Sequence, residues 1–172
     1  MSKFLKVIDD IFTEEECKSI IKLAENRGLD DIDRGIAKYH RTIIKDKKLS
    51  DKLYIQLKSH IPIMFNGSKT ICLNDHFRFS KYFPGEEFGL HKDGINQDSF
   101  GNRSVMTLNI FLNDDFSGGE TDFYFDDQKK LRYSVIPKIG RGALFDSQQY
   151  HCGNKVLSGY KYLLRTDVMV DI

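Results

Sequence analysis

The chain has 172 residues, of which 26 are basic and 25 acidic, so its formal net charge is +1. This length suits one domain with a real core, and the balanced charge gives no general preference for a polyanion such as nucleic acid. No run of about 18 apolar residues is present, which excludes a membrane-spanning helix. The three cysteines share no C-x-x-C spacing and best fit a reducing compartment. We therefore expect a single cytoplasmic domain over residues 1–172.

The first part of the chain, about residues 1–68, is predicted to provide helical support. Thr13 and Glu16 form a capping box, apolar residues then recur at helical spacing, and Gly28 ends the segment. A second helix is predicted from about Ser50 to His60, where a nearby proline terminates it. We expect both helices to pack on the outside of a β-unit.

From about residue 70 to residue 172 the chain changes to short β-rich runs separated by turn-forming residues. The runs are HFRFSKYF, SVMTLNIFLN, TDFYF, LRYSVIP, GALFD and YKYLLRTDVMV. In the second run every even position, from Met106 to Leu112, is apolar. One face of this strand should therefore pack under the helices while the other lines a cavity. An eight-stranded jelly roll is the natural architecture, giving a mainly β protein with N-terminal helices in the α+β class.

Three side chains stand out as possible metal ligands. His91 and Asp93 form an H-x-D pair in FGLHKDG, and His151 follows in QYHCGN. Residues i and i+2 of a strand point the same way, so the pair can hold one ion. Two imidazoles and one carboxylate suit Fe(II) and leave coordination positions for substrate and dioxygen. Because an H-x-D pair alone is common by chance, the assignment depends on the surrounding sequence.

That surrounding sequence resembles the Fe(II)/2-oxoglutarate-dependent dioxygenases of the prolyl 4-hydroxylase type. The resemblance covers roughly residues 70–170 and rests on YFPGEEFGLHKDG, GGETDF and GRGALFDSQQYHCGNKVLSGYKYLLRTDVMV. It implies a double-stranded β-helix of the cupin-like kind, with His91, Asp93 and His151 as iron ligands. It also implies 2-oxoglutarate and dioxygen as cosubstrates, with ascorbate as a further cofactor.

The resemblance also indicates residues that hold 2-oxoglutarate. Lys161 lies ten positions after His151, where the family places the basic residue that pairs with the far carboxylate of the cosubstrate. Tyr82 matches the family tyrosine whose hydroxyl helps to hold the same molecule. Both are therefore expected in the cosubstrate pocket.

Further candidates come from the predicted strands. Arg165 lies on the same strand face as the predicted cosubstrate lysine and could bind a cosubstrate or substrate carboxylate, or could form a structural ion pair. Thr107 and Asn109 could add hydrogen bonds to the cosubstrate from the central strand. Arg41 and Arg78 could face the substrate mouth, although most arginines are solvated or paired within the protein.

The implied reaction is hydroxylation of a C–H bond with release of succinate and carbon dioxide. The first substrate expected is a prolyl residue in a protein or peptide, by analogy with the family rather than from any residue whose chemistry demands proline. A free amino acid or another small molecule is the alternative substrate for the same chemistry. A catalytically inactive, metal-binding β-barrel is the alternative of a different class. Nucleic acid is not favoured, because no basic stripe interleaved with aromatic residues is seen.

Overall fold

The computed structural model describes residues 4–98, 100–126 and 130–171. The described residues form two helices, α1 (Glu14–Arg27) and α2 (Lys47–Leu57), and fifteen strands. The first seven strands are β1 (Leu5–Ile8), β2 (Asp30–Asp33), β3 (Lys38–Lys45), β4 (Met64–Phe65), β5 (Ser68–Leu73), β6 (His76–Tyr82) and β7 (Phe88–His91). The remaining eight are β8 (Arg103–Phe111), β9 (Ser117–Gly118), β10 (Thr121–Tyr124), β11 (Leu131–Val135), β12 (Gly142–Asp146), β13 (His151–Gly153), β14 (Val156–Ser158) and β15 (Lys161–Val170).

The strands form a nine-stranded main sheet, a four-stranded minor sheet and a two-stranded ribbon. The main sheet has the order β1-β12-β8-β15-β6-β3-β2, with β5 also paired to β15 and β4 paired to β5. The minor sheet has the order β11-β10-β13-β7, and the ribbon joins β14 to β9. Phe123 of the minor sheet packs edge-on against Phe145 of the main sheet, with ring centroids 4.8 Å apart. This mainly antiparallel arrangement confirms the predicted double-stranded β-helix.

Both predicted helices are present, and α1 has the predicted ends. The hydroxyl of Thr13 accepts a hydrogen bond from the amide of Glu16, whose carboxylate accepts one from the amide of Thr13. Gly28 caps the other end with a φ of 82°. The second helix begins three residues before the predicted start, because the side chain of Asp46 caps it by accepting from the amide of Leu49.

The main sheet has one apolar face, which is covered by the helices. Met106, Leu108, Ile110 and Leu112 of the central region belong to one buried cluster with residues of both helices. This confirms the alternation predicted for the central strand. The opposite face of the same sheet is directed toward the minor sheet and the cavity between them.

The first 68 residues contribute more than helical support, because β1, β2 and β3 belong to the main sheet. The pattern of β3 is hard to recognise in the sequence because its two faces meet different surroundings. Tyr39 and Arg41 lie on its cavity side, Ile44 lies in the helix-covered core, and lysines occupy both ends. None of the described helices is long and apolar enough to cross a membrane.

Candidate functional site

Two histidines of the minor sheet stand opposite each other. His91 ends β7 and is the register partner of His151, which begins β13, and their ring centroids are 4.2 Å apart. The Nδ1 atom of His91 donates to the carbonyl of Gly89 at 2.7 Å, and that of His151 donates to the carbonyl of Gln149 at 2.9 Å. Because a carbonyl only accepts, each Nδ1 carries a hydrogen, and each Nε2 is the nitrogen that remains to bind a metal.

Asp93 completes a cluster with these histidines. Its Oδ1 lies 3.6 Å from Nε2 of His91 and its Oδ2 lies 3.7 Å from Nε2 of His151. One ligand atom from each residue can be chosen so that all lie within 4.8 Å of one another. Asp93 follows the end of β7, so the H-x-D pair spans a strand end rather than lying wholly within a strand. The amide of Asp93 fixes this turn by donating to the carbonyl of Ser147 at 2.9 Å.

Protonation states in the cluster suit a cation. Burial of His151 lowers the pKa of its imidazole to about 4, so the ring is neutral. Burial opposes ionisation of Asp93, but His91, Arg165, His151 and Thr107 outweigh it and hold the pKa of this carboxyl well below its usual range. Neutral imidazoles and an ionised carboxylate are the forms that bind metal.

The main sheet holds the carboxylate of Asp93 from two sides. The Thr107 hydroxyl donates to Oδ2 at 2.6 Å, and the Arg165 guanidinium donates to Oδ1 at 2.7 Å. Arg165 also contacts Asp167 at 3.2 Å, and Asp167 in turn accepts from Arg78 at 3.0 Å. This network orients the carboxylate in the way that residues around metal ligands commonly do.

Lys161 lies at the inner end of the same cavity. Its side chain is 1% exposed, and its Nζ donates to the carbonyl of Gly119 at 2.7 Å and stands 5.1 Å from the ring centre of Tyr82. Burial lowers the pKa of this lysine to about 8, although Glu120 and Cys152 oppose the shift. Gly119 has a φ of 70°, and a Cβ at this position would lie 3.1 Å from Cδ of Lys161. Glycine at position 119 therefore leaves space for the side chain of Lys161.

A wall of aromatic rings runs from the lysine toward the histidines. Tyr39 stacks on Tyr82 at 5.3 Å and on Phe88 at 5.7 Å, and Phe88 stacks on His91 at 3.8 Å. Burial raises the pKa of Tyr82 well above its usual range, so its hydroxyl keeps its proton. The wall closes one side of the cavity that also contains the cluster.

Nearly all of the candidate residues line this one cavity. They are Tyr82, His91, Asp93, Asn109, His151, Lys161 and Arg165, together with Arg41 and Arg78. Thr107 instead directs its hydroxyl to Asp93, and its predicted contact with the cosubstrate stays a prediction. Arg165 forms an ion pair with Asp93, and its predicted contact with a cosubstrate or substrate carboxylate stays a prediction.

Sequence reasoning missed Tyr39, Phe88 and Asp167 as parts of the site. Tyr39 lies on a strand that was not predicted. Asp167 could have been found, because it lies two residues after Arg165 and therefore on the same face of β15.

The family of the chain follows from a match to the model of the 2OG-Fe(II) oxygenase superfamily over residues 77–166. That match spans more than half of the chain. The chain belongs to the 2OG-Fe(II) oxygenase superfamily. It is therefore a 2-oxoglutarate-dependent dioxygenase, and Fe(II), 2-oxoglutarate and dioxygen are its reactants and cofactor, as the sequence predicted. A search of curated protein sequences returned no match.

Solved structures share the fold of this oxygenase over nearly its whole length. A viral collagen prolyl hydroxylase from Paramecium Bursaria Chlorella virus-1, in complex with 2-oxoglutarate, is 22% identical with a TM-score of 0.72, covering 99% of this chain and 98% of that chain. A prolyl-4-hydroxylase from Pseudomonas putida is 13% identical with a TM-score of 0.74, covering 99% and 95%. A prolyl hydroxylase from Trichoplax adhaerens, bound to a peptide fragment of hypoxia inducible factor, is 15% identical with a TM-score of 0.75, covering 96% and 83%.

The site of this oxygenase fits ferrous iron and a polar cosubstrate. Both imidazoles turn Nε2 toward the ionised carboxylate that lies between them, and two imidazoles with one carboxylate are the donor set that Fe(II) oxygenases use. Within the described part of the chain, Oδ1 of Asn109 and Nε of Arg165 are buried without a hydrogen-bond partner. Both residues line the cavity, so it keeps polar groups for a bound molecule.

Proposed function

We propose that this oxygenase hydroxylates a prolyl residue of a protein or peptide. The observation that carries the proposal is the position of the histidine–aspartate cluster where an inner cavity meets an outer groove. The inner cavity ends at Lys161, whereas the outer groove is lined by the exposed residues Arg34, Lys92 and Gly94. His91 lines both. A residue of an extended chain could therefore reach the cluster while its neighbours stay in the groove.

The names of the similar structures support a prolyl substrate. The viral protein is described as a collagen prolyl hydroxylase, and the Trichoplax adhaerens protein was solved with a peptide fragment. Collagen and the bound fragment are both polypeptides, so these two names favour a peptide substrate over a free amino acid. Each comparison covers most of both chains, so the shared fold includes the strands that carry the groove and the cluster.

In this proposal, His91 and His151 hold Fe(II) through Nε2, and Asp93 holds it through its carboxylate. Lys161 pairs with the far carboxylate of 2-oxoglutarate, and the Tyr82 hydroxyl donates a hydrogen bond to the same molecule. Bound iron, 2-oxoglutarate and dioxygen together supply the oxidising power that converts a C–H bond to an alcohol, with succinate and carbon dioxide as the other products.

The protein contributes orientation and exclusion of water. Thr107 and Arg165 keep Asp93 in one orientation, which fixes where the cation lies relative to the cavity. Phe88 covers one face of the His91 ring, and Tyr39 stacks on Phe88 in turn. Aromatic side chains packed in this way limit the access of water to one side of the cluster.

The test is succinate formation by the purified protein with Fe(II), ascorbate and 2-oxoglutarate, in air and without oxygen. Proline-containing peptides, the same peptides with alanine in place of proline, and free proline are compared as stimulants. Mass spectrometry of the peptide locates any added oxygen atom. We expect oxygen-dependent succinate that the proline peptides accelerate, with one oxygen atom gained on proline.

Other outcomes would contradict the proposal in distinct ways. Stimulation by free proline alone would assign a small-molecule hydroxylase of the same chemistry. Absence of succinate under all conditions, together with absence of iron binding, would indicate an inactive β-barrel. The cytoplasmic location expected from the sequence stays a prediction.

A further inference from the structure

The outer groove of the site is rich in cations. Its charged lining residues comprise five cations and one anion, namely Arg34, Arg41, Arg78, Lys92, Arg165 and Asp93. The whole chain has a net charge of only +1. The positive charge in the groove is therefore a local concentration and not a reflection of overall composition.

Two of these five cations are neutralised inside the protein. Arg165 contacts both Asp93 and Asp167, and Arg78 contacts Asp167. Two guanidinium groups thus face two carboxylates. Ferrous iron carries a formal charge of about +2 and the two carboxylates of 2-oxoglutarate about −2, so the binding of both leaves the net charge of the groove unchanged.

The remaining three cations, Arg34, Arg41 and Lys92, form what we call the basic rim. None of them makes an ion pair with a carboxylate in the described parts of the chain. Nζ of Lys92 lies 4.4 Å from the ring centre of Tyr150. The rim therefore offers cations that form no ion pair within the described residues, beside the entrance to the cluster.

Arg41 is the innermost member of the basic rim. It is half-buried on β3, stands beside Ser80 of β6 in the sheet register, and lines both the inner cavity and the outer groove. Asp30 stands opposite it on β2 but forms no ion pair with it. A half-buried guanidinium has lost part of its hydration, and Arg41 has no ion pair within the described residues, so an incoming carboxylate can bind it with two hydrogen bonds.

We propose that the basic rim binds an acidic side chain close to the hydroxylated residue of a peptide substrate, with Arg41 as the residue that determines this specificity. The inference rests on the proposed function, because it places the acidic residue relative to the target of that reaction. A peptide is favoured over a nucleic acid because the rim is a compact group of three cations rather than a stripe that follows a phosphate backbone. Exposed apolar side chains near the rim, Ile36 and Ile95, also suit a peptide.

The test compares two fluorescent peptides that differ only in charge, with Glu-Pro-Glu or Gln-Pro-Gln at the centre. Binding is measured by anisotropy under anaerobic conditions with Fe(II) and 2-oxoglutarate, and turnover is measured separately in air. For the native protein we expect the Glu peptide to bind about tenfold more tightly than the Gln peptide, with a corresponding difference in KM. This preference should weaken as salt is added.

Substitutions in the basic rim test whether Arg41 causes the preference for the Glu peptide over the Gln peptide. Arg41→Gln should remove the discrimination between the two peptides, Arg41→Lys should retain part of it, and Arg34→Gln should reduce it less. Arg27→Gln, the same chemical change on an exposed residue at the end of α1, serves as the matched control and should leave the preference intact. The Arg41→Lys variant keeps the test meaningful if Arg41→Gln folds poorly.

The outcomes separate this inference from the proposed function. Equal binding of the Glu and Gln peptides, or no binding of either, would overturn the inference, even if another peptide or free proline stimulates succinate formation. Tight binding of the Glu peptide without hydroxylation would support charge recognition and count against a prolyl substrate. Displacement of the Glu peptide by a single-stranded oligonucleotide at lower concentration would overturn the peptide assignment in favour of nucleic acid.

Discussion

The two faces of the main sheet are built from the same strands, but one face forms the helix-covered core and the other lines the site. On β8, Leu108 is fully buried under the helices, whereas its neighbour Thr107 donates a hydrogen bond to Asp93. On β15, Leu164 belongs to the helix-covered core, whereas its neighbour Arg165 contacts Asp93 across the cavity. Because successive side chains of a strand alternate between faces, one strand can contribute to stability and to the site independently.

This separation explains how a small domain tolerates many buried polar groups. The cavity face contains Lys161 and Arg165, which cost free energy to bury, while the helix-covered face contains continuous apolar packing that offsets this cost. Changes on one face should therefore affect mainly stability, and changes on the other should affect mainly the binding of iron and cosubstrate. Each prediction below tests this division.

The largest effect is expected at the cluster itself. We predict that His91→Ala abolishes oxygen-dependent succinate formation, with a loss of about 1,000-fold or more, because an imidazole ligand is removed. His91 is partly exposed, so the variant should keep the unfolding transition of the metal-free protein. Succinate assays and thermal unfolding of the metal-free proteins check both statements. Substantial turnover in this variant would contradict the assignment.

Adjacent residues of β8 provide the sharpest contrast between the faces. Leu108→Ala should lower the free energy of unfolding by about 2–5 kcal/mol, because it opens a cavity under the helices, while iron affinity of the folded protein is retained. Thr107→Val should lower iron affinity by about 10–100-fold, because Asp93 loses its hydroxyl donor, with a smaller change in stability. Denaturant titration and anaerobic iron titration of both variants measure the two effects. The reverse pattern would show that the faces are not separable.

Lys161→Met should raise the KM for 2-oxoglutarate by about 30-fold, because a charged hydrogen bond to the cosubstrate is lost. The same change should not lower the free energy of unfolding of the cosubstrate-free protein, since it replaces a fully buried cation that has no described ion pair with an apolar chain of similar length. Steady-state kinetics and urea unfolding test the two parts. An unchanged KM would remove Lys161 from the cosubstrate site.

The smallest predicted effect is on pH dependence. The pKa of Lys161 is lowered from 10.5 to about 8 by burial. Above that pH Lys161 loses the charge that pairs with a cosubstrate carboxylate, so the KM for 2-oxoglutarate should rise by about tenfold one pH unit above this pKa and stay below the KM of Lys161→Met. The Lys161→Met variant should lack this rise.

The same proton affects stability with a definite sign. Between the folded pKa of about 8 and the ordinary value of 10.5, the unfolded chain binds more protons than the folded one. The contribution of Lys161 to the unfolding free energy therefore rises with pH across this window and is lost as the pH falls through about 8. Subtracting the unfolding curve of Lys161→Met from that of the native protein isolates the contribution, and a difference that falls with pH would contradict it.

Much of the architecture was predictable because its signals are local. The capping box at Thr13 and Glu16 defines α1, and the alternation from Met106 to Leu112 identifies which face of β8 is covered. The strand β3 was missed because its inward residues, Tyr39 and Arg41, face a polar cavity and so break the apolar alternation that identifies a strand.

The cluster of His91, Asp93 and His151 was foreseen from spacing and family resemblance, but the contacts around it were not. Arg165 lies 72 positions after Asp93 in the sequence, and only the sheet register brings its guanidinium to that carboxylate. The stacking of Phe88 on His91 likewise depends on the fold, as does the position of Arg41 at the groove. Side-chain partners across strands are set by register, which a single sequence does not specify.

The most direct test of the account is anaerobic equilibrium dialysis of the native protein and His91→Ala against Fe(II), with bound iron measured by elemental analysis. We predict one equivalent of iron per native chain, retained more tightly when 2-oxoglutarate is present, and none above background in the variant. Equal iron in the two proteins, or no iron in either, would contradict the claim that the cavity face of the sheet builds a ferrous site.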